Sequence, residues 1–237
     1  MHRLSINENW VGLESNPEVL TEYAHKMGVA KSWGFSDVVG LDDDSLKYVP
    51  APVVGLIFLY PFSQVEMRKK KLGMSRGKAT PGVWFMDQTI GNACGAVALT
   101  HTVMNCMERV SSDSKFLQKF QQDSKDASSA ERAKLFGGAL RDLHDDVSGK
   151  GQTEAPRPNE NLEFHFISLV PVDGVLYELD GNNDGPIAVC KIGEGSDAFL
   201  KAAVDHVKKA YIAPFPDSHF SMMALAPRDA SEDKEET

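Results

Sequence analysis

The stretch that most constrains this chain is NACGAVALTHTVMNCMERV, residues 92–110. It reads as a helix, with Asn92 as the expected cap. Its first half is Ala, Gly, Val and Leu, apolar nearly all round, and a helix without a polar face has to be central and buried. Small side chains there let neighbouring elements pack closely. A chain of 237 residues can wrap such a helix and bury a full core without disulfide or metal staples.

Other elements follow from their local signals. Residues 16–28 read as a helix, with Asn16 as cap, Pro17 at the first helical position, Glu18 near the positive end and Gly28 as the stop. Val53 to Tyr60 is short and apolar on both parities, as in a buried strand. Two helices are expected near 113–122 and 129–145. Residues 145–161 (DDVSGKGQTEAPRPNEN) hold glycines, prolines and polar groups and predict a long irregular connection. LEFHFISLVPV, Asp173-Gly174 and VLYELDG make a β-hairpin signal. A helix near 196–210 and a last strand near 219–226 follow. Mixed strands and helices point to an α/β or α+β domain spanning 1–227. The tail 228–237 carries five acids against two bases and is expected to be disordered.

Composition excludes several classes. The net charge of −9 argues against electrostatic nucleic-acid binding and suits a partner with a basic face. Residues 68–78 are locally basic, and the plainest reading is a solvated connection. The longest apolar run is eight residues, against roughly 20 for a membrane span. With no secretory signal visible and three unpaired-looking cysteines, the expectation is a cytoplasmic protein with reduced thiols and no membrane association. No CxxC, HExxH, GxxxxGK[ST] or GxGxxG occurs, and no closely spaced metal-ligand pair, so neither metal nor cofactor is expected.

One thiol is placed for chemistry. Cys94 follows the expected cap by two residues, where unpaired backbone N–H groups and the helix dipole favour a thiolate. The competing reading is a buried structural thiol. Cys106 and Cys190 have no such setting. A nucleophilic cysteine needs a base within about 3 Å. His101 lies on nearly the same helical face, but seven residues rise ~10.5 Å. His2, His25 and His144 are expected to be exposed, His206 sits in a polar helix, and His219 opens the last strand. His165 is flanked by Phe164 and Phe166 in an apolar strand, where a polar ring needs a purpose or a partner. With Asp173-Gly174 as a two-residue turn, Val172 faces Val175, and Asp180 shares a face with His165 on the diagonal. Such neighbours are ~7–8 Å apart at the backbone. Asp180 can then orient the imidazole and stabilise its cation. A core histidine with any acceptor is the alternative. Gln88, six residues before the cysteine, can donate to an oxyanion beside the Cys94 N–H. The chain order Gln, Cys, His, Asp is that of papain-like thiol hydrolases.

QTIGNACGAVALTH (88–101) resembles the active-site signature of the ubiquitin carboxyl-terminal hydrolases, and NLEFHFISLVPVDGVLYELDG (161–181) resembles their histidine and aspartate block. LESNPEV, DVVGLD, VWFMDQ and GQTEAP look like family segments in family order, so the resemblance runs from about residue 10 to 226. It implies an antiparallel-rich central sheet surrounded by helices, a papain-like core, and a crossover loop over the site at about 145–161. It implies Cys94 as nucleophile, His165 as general base and acid, Asp180 as orienting acid and Gln88 as oxyanion donor. Ubiquitin is the implied partner, with the ubiquitin-like NEDD8 left open. Glu14, Glu18 and Asp37, with Asn16 in the same docking loop, are the implied substrate contacts. Asn182 and His219 stand where relatives often carry arginine.

The implied activity is hydrolysis of small adducts or short peptides from ubiquitin's C-terminal glycine, by a monomer. Two alternatives stand beside it. One is a ubiquitin-binding or ubiquitin-stabilising protein with little turnover. The other is a thiol hydrolase with a different acyl substrate.

Overall fold

The computed structural model describes residues 9–64, 80–111, 114–157, 160 and 162–228. The basic stretch 68–78 and nearly all of the acidic tail lie outside them.

Helix α1 (Pro17–Met27) begins as its sequence predicts. The Asn16 side chain accepts from the Glu18 and Val19 N–H groups, and Gly28 ends the helix at φ 115°. Strand β1 (Trp33–Asp37) and the single-turn helix α2 (Asp43–Leu46) follow. Neither had a sequence signal above the background of its loop. Strand β2 is Gly55–Pro61. Helix α3 is Cys94–Val110, and 14 of its 17 residues are buried, so the expected central position holds. Helices α4 (Lys115–Ser124) and α5 (Ser129–Val147) come next, the latter opened by a Ser128/Glu131 capping box.

The hairpin is β3 (Phe164–Val172) and β4 (Val175–Leu179), with Val172 opposite Val175 as the two-residue turn requires. Asp173 and Gly174 both take positive φ, the primed-turn geometry of a tight hairpin. Strand β5 (Ile187–Lys191) also escaped the sequence reading. It is a five-residue edge strand with no fully buried side chain, too short for its period to stand out. Helix α6 (Ala198–Val207) runs into a π-helical turn at Lys208–Ile212, and β6 (Ser221–Pro227) closes the chain. His219 therefore precedes the last strand rather than opening it.

The six strands form one antiparallel sheet in the order β1-β6-β2-β3-β4-β5. One face packs on α1, α3, α4 and α5 through Leu20, Met27, Leu99, Val103, Phe136, Leu140 and Phe166. The other packs on α6 through Leu56, Phe58, Ile167, Leu169, Leu200 and Val204. Close approach between α3 and the sheet depends on small residues. A Cβ on Gly55 would sit 2.5 Å from the Thr102 methyl. A hydroxyl bridge of 2.7 Å from Thr102 to Ser168 ties α3 to β3. That bridge sits three residues along the strand from His165.

Two histidines are structural. His144, expected at the surface, is buried against the Trp10 ring at 4.3 Å, with Nε2 2.8 Å from the Val11 carbonyl. The expectation failed because Trp10 and Val11, far away in sequence, lie over this part of α5. His101 is wholly buried against the 84–86 segment, stacked on the Phe85 ring at 5.0 Å. Burial pushes both down to about 4.

Two outcomes follow. Leu99→Ala should cost about 2–5 kcal/mol in urea unfolding, since Leu99 is fully buried in the helix face toward the core. His101 and His144 fold as neutral rings below their unfolded value of about 6.5. Their contribution is complete above about pH 6.5 and is lost as pH falls toward 4. The urea midpoint should therefore drop between pH 7 and 5, with a slope approaching about 1.4 kcal/mol per pH unit for each ring. His144→Gln should flatten that slope.

Candidate active site

The first turn of α3 supplies the thiol. The sequence names Asn92 as the cap, and the structure corrects this. Asn92 has φ +60°, and the helix begins at Cys94 with Ala93 in the cap position and no side chain bonded to its first N–H groups. The Asn92 amide instead donates to the Glu160 carbonyl at 3.0 Å. An Asx cap would occupy N–H groups of the first turn. Ala93 leaves them to an incoming anion, which is what an oxyanion site needs. Cys94 itself is buried, about 5% exposed.

Strand β3 supplies the imidazole. His165 lies opposite Tyr60 of β2 and is about 1% exposed. The β3–β4 ladder ends at Ser168 and Leu179, so β4 leaves the sheet just where His165 needs a neighbour. Asp180 is the next residue and turns in. Its Oδ1 accepts from His165 Nε2 at 2.8 Å and from the Asn182 N–H at 2.9 Å. The diagonal register expected from the hairpin thus becomes a direct contact. The Cys94 sulfur is near enough to act on the proton affinity of the same ring, and with Nε2 bonded to Asp180 the ring nitrogen left over is Nδ1. Burial alone would lower the affinity of His165 for a proton. The Asp180 charge and hydrogen bond, followed by the Cys94 sulfur, reverse that and raise it.

Gln88 enters on an extended segment. Its backbone N–H donates to the Gly181 carbonyl at 2.8 Å, and its side-chain amide donates to the Ile90 carbonyl at 3.2 Å. The second amide hydrogen remains for another acceptor. Gly181 permits this approach: a Cβ there would meet Gln88 Cβ and Val97 Cγ1 at 2.9 Å. Helix α3 aligns the segment from the other side. His101 Nε2 lies 3.1 Å from the Met86 N–H, and Asn105 bonds both the N–H and the carbonyl of Trp84 at 2.8 Å. His101, rejected above as a base, thus holds the chain that presents Gln88. Its signal in the sequence was a His and an Asn four residues apart on a mostly apolar helix.

Glu18 and Asp37 are exposed at the start of α1 and the end of β1. Asn16 is buried and its oxygen is used in capping. The Glu14 carboxylate is engaged with residues 152 and 153 of the crossing connection. His206 pairs with the buried Glu178 at 2.6 Å, away from these groups in the fold. Among the described residues, no group of three or more His, Cys, Asp or Glu is placed to hold a metal ion.

A buried thiol at a helix start, an imidazole between it and a carboxylate, and an amide alongside can carry out acyl transfer through a thioester. Comparison with known proteins agrees. Residues 10–213 match the model of ubiquitin carboxyl-terminal hydrolase, family 1. The chain belongs to the ubiquitin carboxyl-terminal hydrolase family. It is a cysteine-type hydrolase of that family. A ubiquitin carboxyl-terminal hydrolase of Aplysia californica is 36% identical over 87% of this chain and 96% of its own length. Human ubiquitin carboxyl-terminal hydrolase isozyme L1 is 36% identical over 90% and 96%. Among solved structures, the catalytic domain of Trichinella spiralis UCH37 bound to ubiquitin vinyl methyl ester superposes with a TM-score of 0.74. It is 27% identical and covers 94% of this chain and 98% of that one.

Because Asp180 raises the proton affinity of His165, Asp180→Asn should lower the pH at which the ring loses its proton. An NMR titration of the His165 ring protons would read this. An unchanged midpoint would mean that Asp180 does not act on His165 electrostatically.

Proposed function

We propose that this hydrolase cleaves the bond following the C-terminal glycine of ubiquitin, releasing small adducts and short peptides. The observation that carries the reading is His165, buried and hydrogen-bonded to Asp180 while facing Cys94, in a member of this family. His165 takes the thiol proton as the Cys94 sulfur attacks the scissile carbonyl. The oxyanion is held by the Cys94 N–H and the Gln88 amide. The tetrahedral species collapses as His165 protonates the leaving amine, giving a thioester between Cys94 and the glycine. Water, deprotonated by His165, then attacks the thioester. The second tetrahedral species releases the sulfur and a ubiquitin carboxylate.

Substrate choice follows from surface and shape. Glu18 and Asp37 are exposed carboxylates suited to arginines on ubiquitin's tail and flanking surface, and Asn16 caps the helix whose first turn presents Glu18. The connection after α5 crosses toward the Cys94 side, since Asn92 holds its Glu160 end. A crossing chain passes a thin tail and restricts bulky leaving groups. Both features also suit NEDD8, and a direct rate comparison ranks the two.

The test uses ubiquitin carrying a C-terminal electrophile and ubiquitin carrying a C-terminal fluorogenic amide. The electrophile should label Cys94, and Cys94→Ala should abolish labelling and turnover while leaving ubiquitin binding. Asp180→Asn should reduce kcat by about 100-fold. The alkaline limb of its pH profile should move to lower pH, because His165 loses the charge that holds its proton. Labelling at Cys190, or tight ubiquitin binding with negligible hydrolysis, would overturn the reading.

A further inference from the structure

We infer that Arg132, on α5, is a positioning residue for hydrolysis: its guanidinium holds the segment that presents Gln88 to the oxyanion. The inference deepens the hydrolase reading above and rests on it.

Residues 83–89 belong to no helix or strand, so no ladder fixes their backbone. Neighbouring elements fix it instead, and they take alternate residues. Trp84 bonds Asn105 through both its N–H and its carbonyl, and the Met86 N–H meets His101, both partners being on α3. Phe85 and Asp87 go to the start of α5. The Asp87 N–H donates to the Ser129 carbonyl at 3.3 Å, and the Phe85 carbonyl accepts from Arg132 Nη1 at 3.1 Å. The Gln88 N–H then closes on Gly181 at 2.8 Å.

Arg132 is half-buried, and a charge drawn out of water needs strong partners. Burial lowers its pKa, and the Asp126 charge works the other way. Its donors go to three carbonyls. Nε donates to Ser124 at 2.9 Å, Nη2 to Lys125 at 3.0 Å and Nη1 to Phe85. Ser124 ends α4 and Lys125 is its C-cap, so the first two bonds satisfy carbonyls that the helix itself leaves open. The third does nothing for a helix, because Phe85 lies 47 positions away in the chain. The planar fork therefore joins a fixed helix end to the Gln88 segment. Its carbon lies 5.3 Å from the centre of the Trp84 ring, and the Trp84 indole N–H donates to the Ser124 hydroxyl at 3.1 Å. Residues 84 and 85 are thus gripped together, three residues before the amide. An oxyanion donor stabilises charge only if it is fixed in place before the charge develops. Lysine could not replace the fork, since an ammonium is a point donor on a flexible stem.

The test sets Arg132→Met and Arg132→Lys beside Gln88→Ala and the double variant Gln88→Ala/Arg132→Met. Leu117→Val is the control, loosening α4 at a fully buried leucine while leaving Arg132 in place. On ubiquitin with a C-terminal fluorogenic amide, Gln88→Ala should lower kcat about 100-fold and Arg132→Met about tenfold, with KM unchanged. Ubiquitin with a C-terminal aldehyde adds to Cys94 and puts an oxygen where the oxyanion forms. Arg132→Met should bind it about tenfold more weakly and bind free ubiquitin as wild type does. In the Gln88→Ala background, Arg132→Met should change kcat by less than about twofold, because no amide remains to position. Arg132→Lys keeps the charge without the fork and should stay about fivefold below wild type. Hydrogen exchange at the Gln88 backbone N–H should quicken about tenfold in both Arg132 variants and hold in Leu117→Val, which should lower only the urea midpoint. Should the methionine variant fail to fold, the lysine variant carries the same comparisons. Losses that multiply in the double variant, full kcat in Arg132→Lys, or unchanged exchange at Gln88 would reduce Arg132 to a cap on α4 and overturn the inference. A wild type that turns over no ubiquitin amide overturns the hydrolase reading. The exchange rates need no turnover, so they show separately whether Arg132 holds the segment.

Discussion

Helix α3 is buried along nearly all of its length, and most of the architecture answers that constraint. Burial on this scale needs a sheet beneath it and helices around it. Six antiparallel strands and helices α1, α4 and α5 provide both. Its few polar side chains are therefore forced to find partners inside. Thr102 finds Ser168, His101 finds the Met86 backbone and Asn105 finds Trp84. Each bond fixes a neighbouring piece of the site. The helix that begins with the nucleophile thus also aligns the strand bearing the base and the segment bearing the amide.

His165 shows how cost and function are coupled. An imidazole about 1% exposed loses its water, which disfavours its charged form. Asp180, bonded at 2.8 Å and itself held by the Asn182 N–H, supplies the compensating charge. The pair exists because β4 leaves the sheet at Leu179 and frees the next residue to turn inward. Had the ladder continued, Asp180 would have been one more paired strand residue with its side chain on a fixed face. A local end to regular structure therefore makes room for the acid.

Much of this was legible from short-range chemistry. The Asn16 cap, the Gly28 stop, the Asp173-Gly174 turn and the apolar helix each carry their own reason, and each appears where its residues place it. The hairpin register followed from turn length alone, and with it the approach of His165 to Asp180. Less was legible where long-range contacts override local preference. Asn92 has the side chain of a cap, yet it bonds Glu160, far along the chain. His144 looked exposed because nothing nearby in sequence hides it, while Trp10 does so from the other end of the chain. Strands β1 and β5 are short edges of the sheet, stabilised by pairing with β6 and β4 rather than by any pattern of their own.

The sequence by itself determined the long helices, the β3–β4 hairpin and which residues are chemically able to act, because capping, turn geometry and apolar periodicity are satisfied within a few neighbours. It also determined that Cys94 lies in the first turn of a buried helix and that His165 lies inside an apolar strand. Only the tertiary structure decided what surrounds them. It set the imidazole between sulfur and carboxylate, brought Gln88 against Gly181, and turned Glu14 toward Gln152 and Thr153. These are contacts between residues up to 139 positions apart. They depend on how whole layers pack, and local propensity carries no information about that.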